Sequence, residues 1–291
     1  MRSFTAKKSD ENSSLLDYLQ SRMALAPAAY LRQLFKSGKI RCNGVQVGAT
    51  HQLQDQDVIT LPESKRTLEF LSGSEKLPLV LYESDHVLVV HKPSGLATHS
   101  SQEHESDNMT LRVATLMHLQ AKKFSTAPVH RLDLPTSGPI IFGKGKKAIS
   151  ELGKMMQDKQ VQKKYLALTS AGLPESGTLS GQIPSKGKTK HAETRFRVIE
   201  QQGELSLLEL ELDTGRQHQI RMQLSETGHP IAGDQRYRGL KISEDPEQLF
   251  LHCYQLTFID PFSGQNVNIV DPLPPVLSDV LLTHGFSYTA R

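Results

Sequence analysis

From Leu208 to Leu212 leucine alternates strictly with glutamate: Leu208, Glu209, Leu210, Glu211, Leu212. A period of two puts the leucines on one side of an extended chain and the glutamates on the other, which describes a strand with one wet face. Further apolar runs at Pro139 to Phe142 and Tyr165 to Thr169 read as strands, with a helical pattern from Ala148 to about Gln160 between them. Strands and helices interleave irregularly. The pattern therefore predicts an α+β fold, with a mixed, mainly antiparallel sheet flanked by helices, over a doubly wound one.

A smaller unit precedes this domain. Residues 1 to 12 are polar and are expected to fray. Ser13 or Ser14 can cap a helix carrying Leu15, Leu16, Leu19 and Met23 at helical spacing. Pro27 suits the first position of a second helix with Tyr30, Leu31, Leu34 and Phe35 as its buried stripe, and Gly38 suits the left-handed residue after its end. Asn43-Gly44, between β-prone residues, predicts a tight hairpin turn, and Val58 to Leu61 a further strand. These elements make a compact α/β module over residues 13–62. The polar stretch 63–76, with Ser72-Gly73-Ser74, reads as a linker, and 77–291 as the large domain. That domain opens on a strand from Val87 to His91, closed by the turn chemistry of Lys92-Pro93-Ser94-Gly95. Ser100 to Asn108 reads as a mobile loop.

The formal net charge is only +3, so any argument for a polyanionic partner rests on how the charge is distributed. It is uneven. Arg22, Arg32, Lys36, Lys39 and Arg41 fall in a stretch without one acid, and between His130 and Glu200 thirteen Lys and Arg stand against six acids. Such segments serve either as solvated faces or as phosphate-binding surfaces. Cys42 and Cys253 lie far apart, and no histidine pair has metal-ligand spacing, so neither a disulfide framework nor a metal site is expected. No charged start followed by an apolar run and no membrane-length stretch is present, which predicts a cytoplasmic protein without membrane attachment.

Four places invite a chemical reading, and the first is set aside. Gly138 to Lys144 has the outline of a phosphate loop, but Gly145 stands where magnesium would need Ser or Thr and the middle is an apolar strand, so nucleotide hydrolysis is rejected. His130-Arg131-Leu132-Asp133-Leu134-Pro135-Thr136-Ser137-Gly138 places an acid at the mouth of a strand. Local physics alone favours turn-bonding roles for Asp133, Thr136 and Ser137. Thr214-Gly215-Arg216-Gln217-His218-Gln219-Ile220-Arg221 opens a helix on which arginines could share one side, or simply be solvated. Tyr165, after Lys163-Lys164, is either a site residue or a core aromatic.

Together these runs, with Gly228-His229-Pro230-Ile231, Gly233-Asp234, Lys92-Pro93-x-Gly95 and Leu251-His252, resemble in order and spacing the RluA family of RNA pseudouridine synthases, from about Leu77 to Pro274. The N-terminal module, with Leu34, Gly38, Asn43-Gly44 and Asp57-Val58-Ile59, resembles the alpha-L type RNA-binding domain first known from a ribosomal protein. The resemblance implies an isomerase of uridine in structured RNA that needs no cofactor. It favours large-subunit ribosomal RNA over transfer RNA as partner, and a monomer is the expected state. Carried over residue by residue, Asp133 becomes the essential aspartate, Arg221 its cationic partner, and Tyr165 the residue that stacks on uracil. Arg131 fills the place vacated by the flipped base, and Arg22, Arg32, Lys36, Lys39 and Arg41 become RNA contacts. Two departures stand out: Leu134-Pro135 replaces a usually polar or charged pair, and Met222-Gln223 replaces the usual Val-His.

Overall fold

The computed structural model describes residues 1–288 apart from 24–25, 74–76, 101–103, 105–106, 121, 123, 186 and 243–247. Most of the expected loop at 100–108, the end of the expected linker, and Lys186 of the second basic segment thus lie outside the described residues. The chain divides into two compact units: residues 1–78 with 99–124, and residues 79–98 with 125–291.

In the first unit, Ser14 accepts a hydrogen bond from the Asp17 amide and caps α1 (Leu15–Arg22), and α2 (Ala28–Lys36) follows Pro27. Strands β1 (Arg2–Thr5), β2 (Arg41–Cys42), β3 (Val45–Gln46) and β4 (Val58–Leu61) form an antiparallel sheet in the order β1-β4-β2-β3. The N-terminal residues expected to fray instead pair with β4, Phe4 opposite Ile59. Three of the four β1 side chains are exposed, so the stretch shows no apolar alternation, and its order comes from the partner strand.

The expected linker differs more. Residues Lys65–Gly73 form helix α3, in which Phe70 is fully buried against Tyr30 (ring centroids 5.0 Å apart) and the Thr67 and Tyr30 hydroxyls lie 2.8 Å apart. Burying one Phe contributes about 2–3 kcal/mol. That suffices to dock a short helix that would not stand alone in water. A further helix, α4 (Met109–Leu119), capped by Asn108, also belongs to this unit and sends Leu111 to its core. The boundary drawn from composition at residue 77 therefore misses an excursion of the chain back into the first unit.

The second unit holds a four-stranded sheet, β5 (Val80–Glu83), β6 (Val87–Lys92), β7 (Thr126–Pro128) and β8 (Gly138–Lys144), in the order β5-β6-β8-β7. Its six-stranded sheet comprises β9 (Gln162–Ser170), β10 (Ser176–Ser185), β11 (Lys188–Gln202), β12 (Leu205–Leu212), β13 (Leu251–Ile259) and β14 (Asn266–Val270), in the order β10-β11-β12-β9-β13-β14. Every ladder between these strands is antiparallel. The sheets meet at one parallel bridge, Ser137 to His252.

One core spans both sheets. Leu152 and Met155 of α5 (Lys146–Gln157) pack with Val87, Val89 and Ile141 of the smaller sheet and with Leu256, Phe258, Val267 and Ile269 of the larger. On β12 the alternation holds: Leu208 and Leu210 are fully buried, while Glu209 and Glu211 form a ladder with Arg197 (3.2 Å), Lys164 (3.7 Å) and Arg195 (3.2 Å). Helix α6 (Gln219–Glu226) follows β12 after a short turn, and α7 (Pro275–Thr283) comes near the chain's end. Among the described residues no helix is long and apolar enough to cross a membrane.

Candidate active site

The seam between the two sheets positions Asp133. Its segment leads into β8, and the Thr136 amide donates to the Asp133 carbonyl at 3.0 Å, closing a turn. The next two carbonyls are taken as well. Leu134 O accepts from Lys92 Nζ (3.0 Å) and from the Gly95 amide (3.0 Å), and Pro135 O accepts from the Ser94 hydroxyl (2.9 Å). Lys92 is fully buried and also donates to Pro93 O (2.9 Å) and Leu96 O (2.8 Å), so three carbonyls meet the three protons of its ammonium. Burial pushes that ammonium down to about 7 against the pull of Asp133. The Lys92-Pro93-x-Gly95 turn is thus the clamp that holds the Asp133 loop.

The far end of the loop is held by His252. Its Nε2 faces the Asp271 carbonyl at 2.9 Å, which can only accept, so Nε2 carries the proton and Nδ1 accepts from the Ser137 hydroxyl at 2.8 Å. Burial lowers the His252 pKa and keeps the ring neutral. Gly138, at φ +135°, passes so close to β13 that a Cβ would lie 2.5 Å from Cys253 O. Only glycine permits that approach. Local physics alone would have spent this loop's side chains on turn amides, and the structure does not. Ser137 goes to His252, and among the described residues Thr136 Oγ1 has no partner. The Asp133 carboxylate makes none of the hydrogen bonds seen among the described residues.

Two cationic or imidazole groups face that carboxylate. Arg221 Nη1 lies 3.8 Å from Asp133 Oδ2, and His218 Nε2 lies 3.8 Å from Asp133 Oδ1. The expected pairing of Arg221 with Asp133 is this 3.8 Å contact, and it is not the guanidinium's strongest one. Its bidentate partner is Asp234, with Nε to Oδ2 at 2.7 Å and Nη2 to Oδ1 at 2.8 Å. Asp234 is buried, so this fork is the stronger contact, and it leaves only Nη1 for Asp133. Gly233, at φ +83°, lets the Asp234 turn pass Gln248, whose carbonyl would stand 1.8 Å from an added Cβ. His218 sits in the left-handed region (φ +54°) at the start of α6, with Nδ1 3.0 Å from the Tyr237 hydroxyl. Burial lowers its pKa, against the opposing pull of Asp133.

Tyr165 is buried on β9, opposite Cys253 in the ladder. Burial raises its pKa well above the usual phenol value, so the hydroxyl stays protonated. Asp133, Tyr165, His218 and Arg221 line one cleft of about 800 Å³, which Arg131, Lys163, Arg195 and Arg216 also line. His130 braces its floor: Nε2 accepts from the Ile141 amide at 3.1 Å, and burial holds the ring far below its ordinary pKa, hence neutral.

The structure therefore brings together Asp133, Tyr165 and Arg221, with Arg131 exposed at the rim. The five cations assigned to RNA contact lie in the first unit. Arg32, Lys36 and Lys39 are exposed. Arg41 is exposed too but donates to Gly44 O at 3.0 Å across the hairpin. Arg22 lies over the rings of Phe4 (5.6 Å) and Tyr18 (5.2 Å), which gives it a packing role. Sequence reasoning expected no metal ligands, yet Cys42, His51 and Asp57 gather within 4.8 Å. Asp57 already accepts from Asn43 Nδ2 (2.7 Å) and the Gln54 amide (2.9 Å), and burial pushes the Cys42 thiol up to about 11. The trio reads as a hairpin brace. The residues missed were Asp234 and His218 as neighbours of Arg221 and Asp133, and Cys253 as the residue opposite Tyr165 in the ladder. The first two stood inside the motifs already quoted, without a sign of whom they would touch.

A family model described as RNA pseudouridylate synthase matches residues 86–226, which span Asp133, Tyr165 and Arg221. Ribosomal large subunit pseudouridine synthase C of Vibrio cholerae is 31% identical, over 91% of this chain and 91% of that protein. The chain belongs to the RluA family of RNA pseudouridine synthases. Another relative, ribosomal large subunit pseudouridine synthase C of Vibrio vulnificus, is 29% identical over 91% of this chain and 90% of its own length. Among solved structures, the fold is that of human RNA pseudouridylate synthase domain containing 4, with TM-score 0.60 and 22% identity over 75% of this chain and 95% of that one. In this RluA-family chain the seam between the sheets carries the motif aspartate.

Proposed function

We propose that this synthase isomerises uridine to pseudouridine in large-subunit ribosomal RNA, with Asp133 as the reacting group. The observation that carries the assignment is the state of the Asp133 carboxylate: it is held in a cleft, 3.8 Å from a fixed guanidinium, and spends neither oxygen on the protein's own amides. The relatives named as large-subunit ribosomal synthases, matched over about nine-tenths of both chains, support the choice of RNA. The reaction detaches uracil from C1′, turns it and rejoins it through C5. It adds and removes no atoms or electrons, so its balance needs no co-substrate.

The target base lies inside a folded RNA and must be flipped out to reach the cleft. Tyr165 forms the surface on which uracil stacks, and Arg131 at the rim enters the place the base has left. Arg221, aimed by Asp234, sets the carboxylate's position and offsets its charge. Asp133 then serves one of two routes, attack on C1′ or removal of the ribose 2′ proton. A 2′-deuterium substrate separates them, because only proton removal gives a primary isotope effect. The first unit, as an alpha-L type domain, supplies phosphate contacts from Arg32, Lys36, Lys39 and Arg41. The test is direct: purified protein and protein-free large-subunit ribosomal RNA yield pseudouridine, and Asp133→Asn yields none while still binding the RNA. Near-normal yield from that variant would sink the assignment.

A further inference from the structure

Directly after Asp133, the chain departs from its family at Leu134-Pro135, and these two residues wall a second, smaller cavity. It is a cup of about 200 Å³, the scale of one planar base without its sugar. Gly95, Leu134, Pro135 and Leu249 supply its mainly apolar wall, and Gln235 and Arg236 also line it. Arg221 lines both this cup and the main cleft, so the two cavities are neighbours across one side chain.

The carbonyls of the Leu134-Pro135 wall are already engaged. Both carbonyls point away, to Lys92, Gly95 and Ser94, and proline has no amide proton to offer. With no carbonyl left to accept, the surface this wall offers a ligand is chiefly its two apolar side chains. Arg236, exposed and without a carboxylate partner among the described residues, sits over the Tyr237 ring at 5.8 Å and lines the cup. An apolar platform beside a free cation, one residue from the reacting group, fits how proteins hold single-stranded RNA.

We propose that this cup receives the base of a nucleotide adjacent to the flipped uridine, by stacking and without base identity. The inference rests on the reading of the Asp133 cleft as the uridine site.

The test is a stem-loop RNA carrying a mapped target uridine, with an abasic residue placed in turn at each neighbour. With wild-type enzyme, one abasic position should raise KM about tenfold, the scale of one stacked base, with kcat little changed. Leu134→Asp should raise KM on intact RNA by a similar factor and lose its sensitivity to that abasic position. Leu134→Ala, which widens the cup without charging it, runs the same cycle should the aspartate variant fail to fold, and Leu134→Met should behave as wild type. Wild-type KM indifferent to both abasic substitutions, or an abasic penalty that persists in full in Leu134→Asp and Leu134→Ala, would overturn the subsite. A wild-type enzyme that makes no pseudouridine in any ribosomal RNA would instead overturn the isomerase reading on which the subsite rests.

Discussion

The turn at residues 133–138 and the turn at 233–238 each present an aspartate to Arg221, and they use it in opposite ways. Asp234 is buried, forks both oxygens onto the guanidinium and accepts the Tyr237 amide at 3.2 Å on one of them. Asp133 lies 3.8 Å from the same guanidinium and 3.8 Å from His218 Nε2, and its carboxylate makes no hydrogen bond among the described residues. One acid is consumed by structure, and the other is kept in reserve. An arginine with a single carboxylate neighbour would collapse onto it. Given two, it is fixed by the first and leaves the second open to substrate, which is how a preorganised site is built.

The sharpest way to break this comparison is to neutralise each acid in turn. Asp133→Asn should cut the rate of pseudouridine formation by more than about 10³-fold while melting temperature and RNA affinity stay near wild type, since a positioned acid–base group alone contributes up to about 10⁴-fold. Asp234→Asn should show the opposite balance. It strands a buried guanidinium, so about 3–5 kcal/mol of stability should be lost, read as a lower melting temperature and denaturant midpoint. If Asp133→Asn were the variant that unfolds, the roles would be reversed.

A smaller effect comes from pH. His130, His218 and His252 all have pKa values lowered by burial. The unfolded chain binds a proton at each near the ordinary histidine value of about 6.5, and the folded chain does not. The stability they contribute is therefore complete above that pH and is lost as pH falls through it. Thermal melts from pH 7.5 to 5.5 should show a steady decline, shallower in His252→Asn than in wild type. A flat profile would mean that these rings protonate in place.

The smallest expected effect comes from the first unit. Lys36→Ala with Arg41→Ala should weaken RNA binding and lower the salt slope by about 1–2, without changing the turnover of bound RNA. Arg22→Ala should leave the slope unchanged and lower stability slightly, because its guanidinium rests on Phe4 and Tyr18. An equal slope change from Arg22 would erase the distinction between packing and phosphate-facing cations.

Much of the fold was legible because it is written locally. The Ser14 cap, the Asn43-Gly44 hairpin and the alternation on β12 each need only neighbouring residues, and each stands where the pattern puts it. The strand β1 and helix α3 were not legible, because three of the β1 side chains are exposed and the α3 stretch reads as polar linker. Their order comes from partners elsewhere in the chain, β4 for one and Tyr30 for the other.

The candidate site divides along the same line. By itself the sequence determined which residue types stand at Asp133, Tyr165 and Arg221, and the turn-forming residues around them. Only the tertiary structure decided that Arg221 belongs first to Asp234, that Cys253 stands opposite Tyr165 in the sheet, and that Lys92 clamps the Asp133 loop. The physical reason is that helices and turns are specified by contacts a few residues apart. Whether a carboxylate is spent or free depends on which donors the fold brings within about 3 Å of it, and no local pattern encodes that distance.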